Sequence, residues 1–501
     1  MRVTNLIKPV IFAAFFIAGI FVAAGNISRT LADAASAQPA LVQQTSPAQK
    51  RMDGIWVGIL EVQGLKLRMI LRVTQDAAGA LSAKLDVPDQ GASDLSIDSI
   101  SLQGETFRFE AKALGLNYEG TLNPTGEEIS GTLKQGPATF PVTFKRTDKV
   151  AELNRPQDPK KPYPYLEEDV SYENKIDAVK ITGTLTMPRT GGPFPAVLLI
   201  TGSGSQDRNE TVAGHRPFLV LADHLTRLGI AVLRVDDRGM GGTSQGAPNF
   251  TTENFVGDVL TGVEYLKTRK EINPRQIGLI GHSEGGMIAP MAAVRSKDIS
   301  FIVLMAGPGL PGDEEILIQN DMLLKAQGFD EDSLRLAREI FTAIFAVLKS
   351  RDTTAVAGKK IQDLVAAKTA AMTETQKKNL DSLLKMIETQ RQQIYLLEWF
   401  RFFLRFDPRP VLKTIRIPVL AINGEKDLQV AAKANLDAIA ASLKEGGNKD
   451  YLIVSMPELN HMFQHAKTGL IMEYGEIPET ISPEALKTMS DWILKHTTAK
   501  K

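Results

Sequence analysis

The stretch that most constrains this chain is Ile277-Gly278-Leu279-Ile280, which runs without a spacer into Gly281-His282-Ser283-Glu284-Gly285-Gly286. A short apolar run with no polar face predicts a strand buried on both sides. A serine flanked by glycines at its end predicts a sharp strand-to-helix turn, because small residues two before and two after let neighbouring backbone approach. Such a turn lifts the serine hydroxyl clear of the backbone. It also aims the N–H of Glu284, at the start of the next helix, where an oxyanion would form as the hydroxyl attacks. Gly and Ser are common, so the five-residue pattern means little alone; its place between a buried strand and a helix gives it weight. A glycine-rich turn with an ordinary surface serine is the competing reading.

The same grammar extends along the C-terminal two thirds. Ala196–Ile200, Ile230–Val235, Phe301–Met305, Ile417–Ile422 and Tyr451–Val454 are apolar runs, and helical stretches near Phe218–Leu228 and Phe255–Lys267 separate the earlier ones. Runs apolar on both faces and divided by helices predict a mostly parallel α/β sheet covered on each side. Residues 313–406 interrupt it with Leu, Ile, Phe and Ala at three- and four-residue spacings, which predicts a helical cap over the sheet's C-terminal edge. The core is therefore expected in 166–312 and 407–501. Upstream, 53–147 alternates apolar and polar residues in short runs split by Gly, Asp, Asn and Pro, which predicts a small all-β antiparallel accessory domain of about eight strands. Between them, 148–165 is a linker, with four prolines between Arg155 and Pro164.

Arg2 and Lys8 precede the uncharged apolar run Pro9 to Gly25, and Ala35-Ser36-Ala37 offers a small-x-small cleavage site. Residues 1–37 are thus expected to be a signal peptide and 38–52 a disordered spacer. Export to the periplasm or outside the cell follows, without stable membrane insertion if the signal is cleaved. An uncleaved anchor is the alternative, since the run approaches spanning length. The chain has no cysteine, which excludes disulfides, thiolate metal sites and a cysteine nucleophile. Lys+Arg and Asp+Glu balance at 58 each, so no bulk charge draws it to nucleic acid.

A serine hydroxyl needs a base beside it. Among six histidines, His461 stands in the loop after the last apolar run, where a base can reach the sheet's edge, with His465 as its rival. His282 is expected to point away from the turn, and His215, His224 and His496 fall on helices or their starts. The acid that orients the base is expected to follow a strand between serine and histidine, and Asn423-Gly424-Glu425-Lys426-Asp427 supplies Asp427, with Glu425 as the fallback. Thr201-Gly202-Ser203-Gly204-Ser205 offers a second backbone donor at the Ser203 N–H, so Glu284 and Ser203 are the candidate oxyanion pair. No Lys follows this loop in phosphate-binding spacing.

Residues 166–496 resemble the α/β-hydrolase superfamily, most similarly its bacterial esterase and serine-aminopeptidase-like branch, which includes dienelactone-hydrolase relatives. The matching stretches are Gly202 to Arg208, Val235-Asp236-Asp237-Arg238-Gly239, Gly281 to Gly286, Gly424 to Asp427 and Leu459-Asn460-His461. Thr201-Gly202 stands where the family usually has His-Gly, which leaves the backbone role intact. The resemblance implies a serine hydrolase that needs no cofactor or metal and acts on a small-molecule ester, with Ser283, Asp427 and His461 catalytic and Asp236, Asp237 and Arg238 pinning a loop. An exported aminopeptidase and a non-catalytic binding protein that keeps the fold are the alternatives. Leu397 to Phe406, dense in aromatics, either lines an acyl pocket or packs the cap.

Overall fold

The computed structural model describes residues 51–497 apart from 63–64, 77–78, 91, 136–137 and 151–152. The leader expected at 1–37, and the spacer up to residue 50, lie outside the described residues. No helix among those described is long and apolar enough to cross a membrane. The chain divides into two compact units, one holding the N-terminal strands and the other the residues from Asn154 onward.

The first unit is a nine-stranded antiparallel sheet. Its strands are β1 (Gly54–Val62), β2 (Leu65–Gln75), β3 (Leu81–Val87), β4 (Ala92–Ser96) and β5 (Ser99–Gln103), then β6 (Thr106–Ala111), β7 (Leu116–Leu122), β8 (Glu128–Gln135) and β9 (Ala138–Thr147). The order β4-β3-β2-β1-β9-β8-β7-β6-β5 is two meanders joined where β1 pairs with β9, Ile55 opposite Thr147. The ribbon curls until β3 passes near β5. Strict alternation along β7 turns Leu116, Tyr118, Gly120 and Leu122 inward. There Tyr118 stacks on Phe109 at 5.2 Å and meets Phe144 edge-on at 5.1 Å, beside buried Trp56 and Phe107.

The second unit is built on an eight-stranded sheet in the order β10-β11-β13-β12-β14-β15-β16-β17. These are β10 (Leu166–Asn174), β11 (Val179–Met187), β12 (Phe194–Ile200), β13 (Ala231–Val235), β14 (Ile272–His282), β15 (Ile299–Met305), β16 (Val419–Gly424) and β17 (Tyr451–Met456). From β13 to β17 all neighbours run parallel, whereas β11 is antiparallel to both β10 and β13.

The continuous apolar runs are explained by where alternate residues go. Val197 and Leu199 of β12 enter one core with α1 (Pro217–Arg227) and the C-terminal helix Pro483–Thr497, while Leu198 and Ile200 enter the other with α2 (Thr252–Lys267) and α3 (Glu284–Ala293). Each fully buried aliphatic side chain is worth about 1.5–3 kcal/mol, so these two layers suffice without disulfide cross-links. Between β15 and β16 come α4 (Gly312–Ala326), α5 (Glu331–Lys349), α6 (Thr354–Ala370), α7 (Glu374–Gln390) and α8 (Glu398–Arg405). Asp330 caps α5 by accepting the Ser333 N–H at 2.8 Å, and a Thr373–Gln376 capping box starts α7. The insertion thus holds its helices by local signals as well as by packing.

Candidate active site

Ser283 sits between β14 and α3 at φ 53°, ψ −118°, a conformation costly for any side chain. Such strain persists only where the surroundings over-determine it. Here they do: the Ser283 N–H donates to Met305 of β15 at 2.8 Å, and Gly286 N–H donates back to the Ser283 carbonyl at 2.9 Å. Gly285 has no room for a side chain, since a Cβ would meet the Ile200 carbonyl at 2.3 Å and that of Thr201 at 2.7 Å. The loop after β12 is thereby laid against the serine turn. Gly202 lies beside Ser283 as well, a Cβ on it falling 3.1 Å from the serine's own. Among the described residues, the backbone N–H groups of Ser203 and Glu284 donate to nothing, which leaves both free for a ligand oxygen.

Asp427 and His461 come together from loops after β16 and β17. Their approach depends on Gly424, where a Cβ would meet the carbonyls of Leu459 at 2.2 Å and Asn460 at 2.7 Å. His461 Nδ1 lies 2.7 Å from Asp427 Oδ2, and both side chains are almost wholly buried. The other carboxylate oxygen accepts the N–H groups of Gln429 at 2.7 Å and Val430 at 2.9 Å, which fixes the acid. Asn460 shapes the histidine loop by accepting the N–H groups of Met462 and Gln464, each at 3.0 Å.

No hydrogen bond joins Ser283 Oγ to the His461 imidazole among the described residues; the two loops meet through His282, whose Nε2 contacts the His461 carbonyl at 3.0 Å. The His461 ring lies 4.7 Å from that of His282, the residue before the serine. In sites without ligand such bonds are often long and tighten only when substrate binds. The two alternates lie elsewhere: His465 pairs with Glu479 at 2.8 Å on a half-exposed surface, and Glu425 accepts from Ser455 at 3.0 Å.

The loop after β13 is pinned as its charges imply. Thr201 Oγ1 donates to Asp237, as does the Gln206 N–H at 2.9 Å, while Arg208 pairs with Asp236 and Arg238 with Asp258. Burial drives the Asp237 carboxyl well above the usual carboxylate range, and the Glu210 and Glu284 charges push it further.

Three buried acids escaped sequence reasoning. Glu284 accepts from Thr252 Oγ1 at 2.7 Å and from Trp399 Nε1 at 2.8 Å, so α8 of the helical insertion reaches the residue after the serine. Burial raises its carboxyl. Glu210 binds His282 and Gly202. Glu315, on α4, is pushed up to about 8 from 4.5 by burial, with the Asp427 charge adding and Asn435 and the Ala431 backbone only partly offsetting.

A carboxyl raised in this way favours folding while protonated, so its contribution is complete below about pH 4.5 and is lost as pH climbs through about 8. Glu315→Gln removes the slope. Its stability gain over the unaltered protein should be near zero in acid and grow to a plateau on the order of 3–5 kcal/mol in alkali. Urea unfolding at a series of pH values measures this, and a gap independent of pH would sink it.

A strand-turn-helix serine, a histidine–carboxylate pair and two free N–H groups on a 1-2-4-3-5-6-7-8 sheet define a class of fold built for nucleophilic acyl transfer. The alpha/beta hydrolase family matches residues 197–467, more than half of the 501-residue chain. The chain belongs to that family. It is similar to the esterase EstD of Thermotoga maritima, 28% identical over 354 residues that span 69% of this chain and 74% of that one. Among solved structures, the Pyrococcus furiosus esterase Pf2001 aligns over 70% of this chain and 100% of its own, at 18% identity and a TM-score of 0.40. Est1E from Butyrivibrio proteoclasticus aligns over 66% and 98%, at 14% identity and a TM-score of 0.37.

Proposed function

We propose that the protein is a serine esterase that hydrolyses carboxylic esters of short to medium acyl chain through an acyl-enzyme. The observation that carries this is the buried contact of 2.7 Å between His461 Nδ1 and Asp427 Oδ2, next to a serine held in a strained turn. His461 takes the Ser283 proton as Oγ attacks the ester carbonyl, and Asp427 stabilises the imidazolium so formed. The Glu284 and Ser203 N–H groups hold the oxyanion. The imidazolium then protonates the departing alcohol, and water, deprotonated by His461, releases the acid and restores Ser283.

Ester rather than amide cleavage is favoured by the likeness to EstD, named an esterase. The helical insertion serves as the cap that selects the acyl group, because Trp399 of α8 reaches Glu284 beside the nucleophile. On the strength of the N-terminal apolar run, the protein works outside the cytoplasm on small-molecule esters.

A panel of p-nitrophenyl esters of graded acyl length, alongside aminoacyl p-nitroanilides and a fluorophosphonate probe, tests the proposal. Turnover is expected on the shorter esters, with the probe attached at Ser283. Turnover of anilides alone would make it a peptidase. A protein neither labelled nor active would be a binding module that retains the fold.

A further inference from the structure

Behind the paired Asp427 and His461 lies a second histidine–carboxylate pair that the reaction scheme above does not use. His282 Nδ1 is 2.9 Å from Glu210 Oε1, and His282 Nε2 is 3.0 Å from the backbone carbonyl of His461. The same Glu210 oxygen accepts the Gly202 N–H at 2.9 Å. Both side chains are buried, with His282 5% and Glu210 2% exposed.

Donor and acceptor arithmetic fixes one ring proton. A carbonyl oxygen only accepts, so Nε2 must carry hydrogen. A neutral ring would then turn the Nδ1 lone pair toward a carboxylate oxygen, which is repulsive. A second ring proton removes the conflict and makes a pair of zero net charge, whereas either charge alone would be costly at this depth.

We propose that Glu210 and His282 are positioning residues, a buried ion pair that clamps the Gly202 loop and the His461 loop together against the Ser283 turn. One carboxylate thus sets the backbone beside the Ser203 donor directly, and the carbonyl of the base through the ring of His282. The inference rests on the esterase proposal for its catalytic meaning, though not for the state of the pair. Charged and titratable groups acting on the ring are Glu210, His461 and Asp427, and its remaining ring neighbour is Phe463. Burial lowers the His282 pKa, but the charge and hydrogen bond of Glu210 outweigh it, and the His461 carbonyl and the Asp427 charge add, so the net direction is upward. A raised imidazole keeps its proton to higher pH than a free one and loses it as pH rises further, so the clamp loosens on the alkaline side.

The test uses the full chain labelled with nitrogen-15 histidine, as wild type, Glu210→Gln and His282→Gln. Loss of one signal in His282→Gln assigns the ring. In wild type both His282 nitrogens should be protonated at neutral pH and one should deprotonate only in alkali, while in Glu210→Gln the ring should be neutral at neutral pH. On a p-nitrophenyl ester, Glu210→Gln should lower kcat by about 100-fold, as small misplacements of catalytic groups do, with KM little changed. Its alkaline limb should leave the wild-type position. His282→Gln, which keeps a donor for the His461 carbonyl but has no proton to lose, should retain part of the activity and show no such limb. A neutral His282 ring in the wild type overturns the proposal, as does Glu210→Gln with wild-type kcat and pH profile. Should Glu210→Gln fail to fold, the wild-type ring signals still decide, and His282→Asn assigns the ring where His282→Gln does not fold. Absence of ester turnover in the wild type would refute the esterase reading alone.

Discussion

Ser283→Ala should abolish ester hydrolysis, lowering kcat by about 10⁶-fold, the scale on which removal of the nucleophile silences another serine hydrolase. Nothing nearby can substitute for the lost Oγ. Thr201, the hydroxyl of the adjacent loop, is committed to Asp237, and the Ser203 side chain is set against the Glu284 carboxyl rather than a base. The fold should survive, because alanine at φ 53° bears much the same backbone strain as serine, and the bonds from the Ser283 N–H and carbonyl belong to the main chain. Turnover, fluorophosphonate labelling and thermal unfolding should be read on the same preparation. Lost turnover and labelling with an unchanged melting curve is the expected pattern. A variant retaining more than about a thousandth of wild-type kcat would exceed what binding and an oxyanion site supply alone, and would place the nucleophile elsewhere.

How much of this is legible in the sequence follows from the range of the interactions. The turn at Gly281–Gly286 is local: strand, serine and helix start adjoin in the chain, and the strain at Ser283 is what the flanking glycines imply. Asp427 and His461 are 34 residues apart, but each follows one of two paired parallel strands, and parallel strands bring such loops to one edge. Glu210 and His282 are 72 apart, and Glu210 follows no strand or helix pattern that would single it out, so the pair could not be read. Trp399 and Glu284, 115 apart, meet only because the insertion folds back on α3. Within Leu397 to Phe406 helical spacing does the sorting: Phe400, Phe403 and Leu404 are buried, whereas Trp399 turns its indole N–H to the acid. In the N-terminal sheet, the strict alternation along β7 is a local signal, but the closing pair of β1 with β9 leaves no local trace. The expected eight strands became nine because β4 and β5, five residues each at the ends of the order, are too short to show a clear period.

Asp427→Asn should lower kcat by about 10⁴-fold, as the same change does in another Ser-His-Asp hydrolase, while changing shape hardly at all. The carboxylate is used on both sides: Oδ2 faces His461 Nδ1, and Oδ1 accepts the Gln429 and Val430 N–H groups. An amide has one acceptor oxygen and one donor nitrogen, so it can satisfy only one side. If its oxygen keeps the backbone N–H groups, its NH₂ points at Nδ1, which must then be unprotonated; the ring proton moves to Nε2, and the base has no lone pair for Ser283. If the amide flips, the histidine tautomer is preserved but two buried N–H groups face an NH₂, each costing about 1–3 kcal/mol. The first arrangement should win, since it loses catalysis and not stability. The expected signature is therefore a melting curve close to wild type, fluorophosphonate labelling slowed about as much as kcat, and partial recovery in alkali, where hydroxide can stand in for the base. Wild-type kcat in Asp427→Asn would show that another group orients His461, and Glu425→Gln in the same assay would then be the next variant to measure.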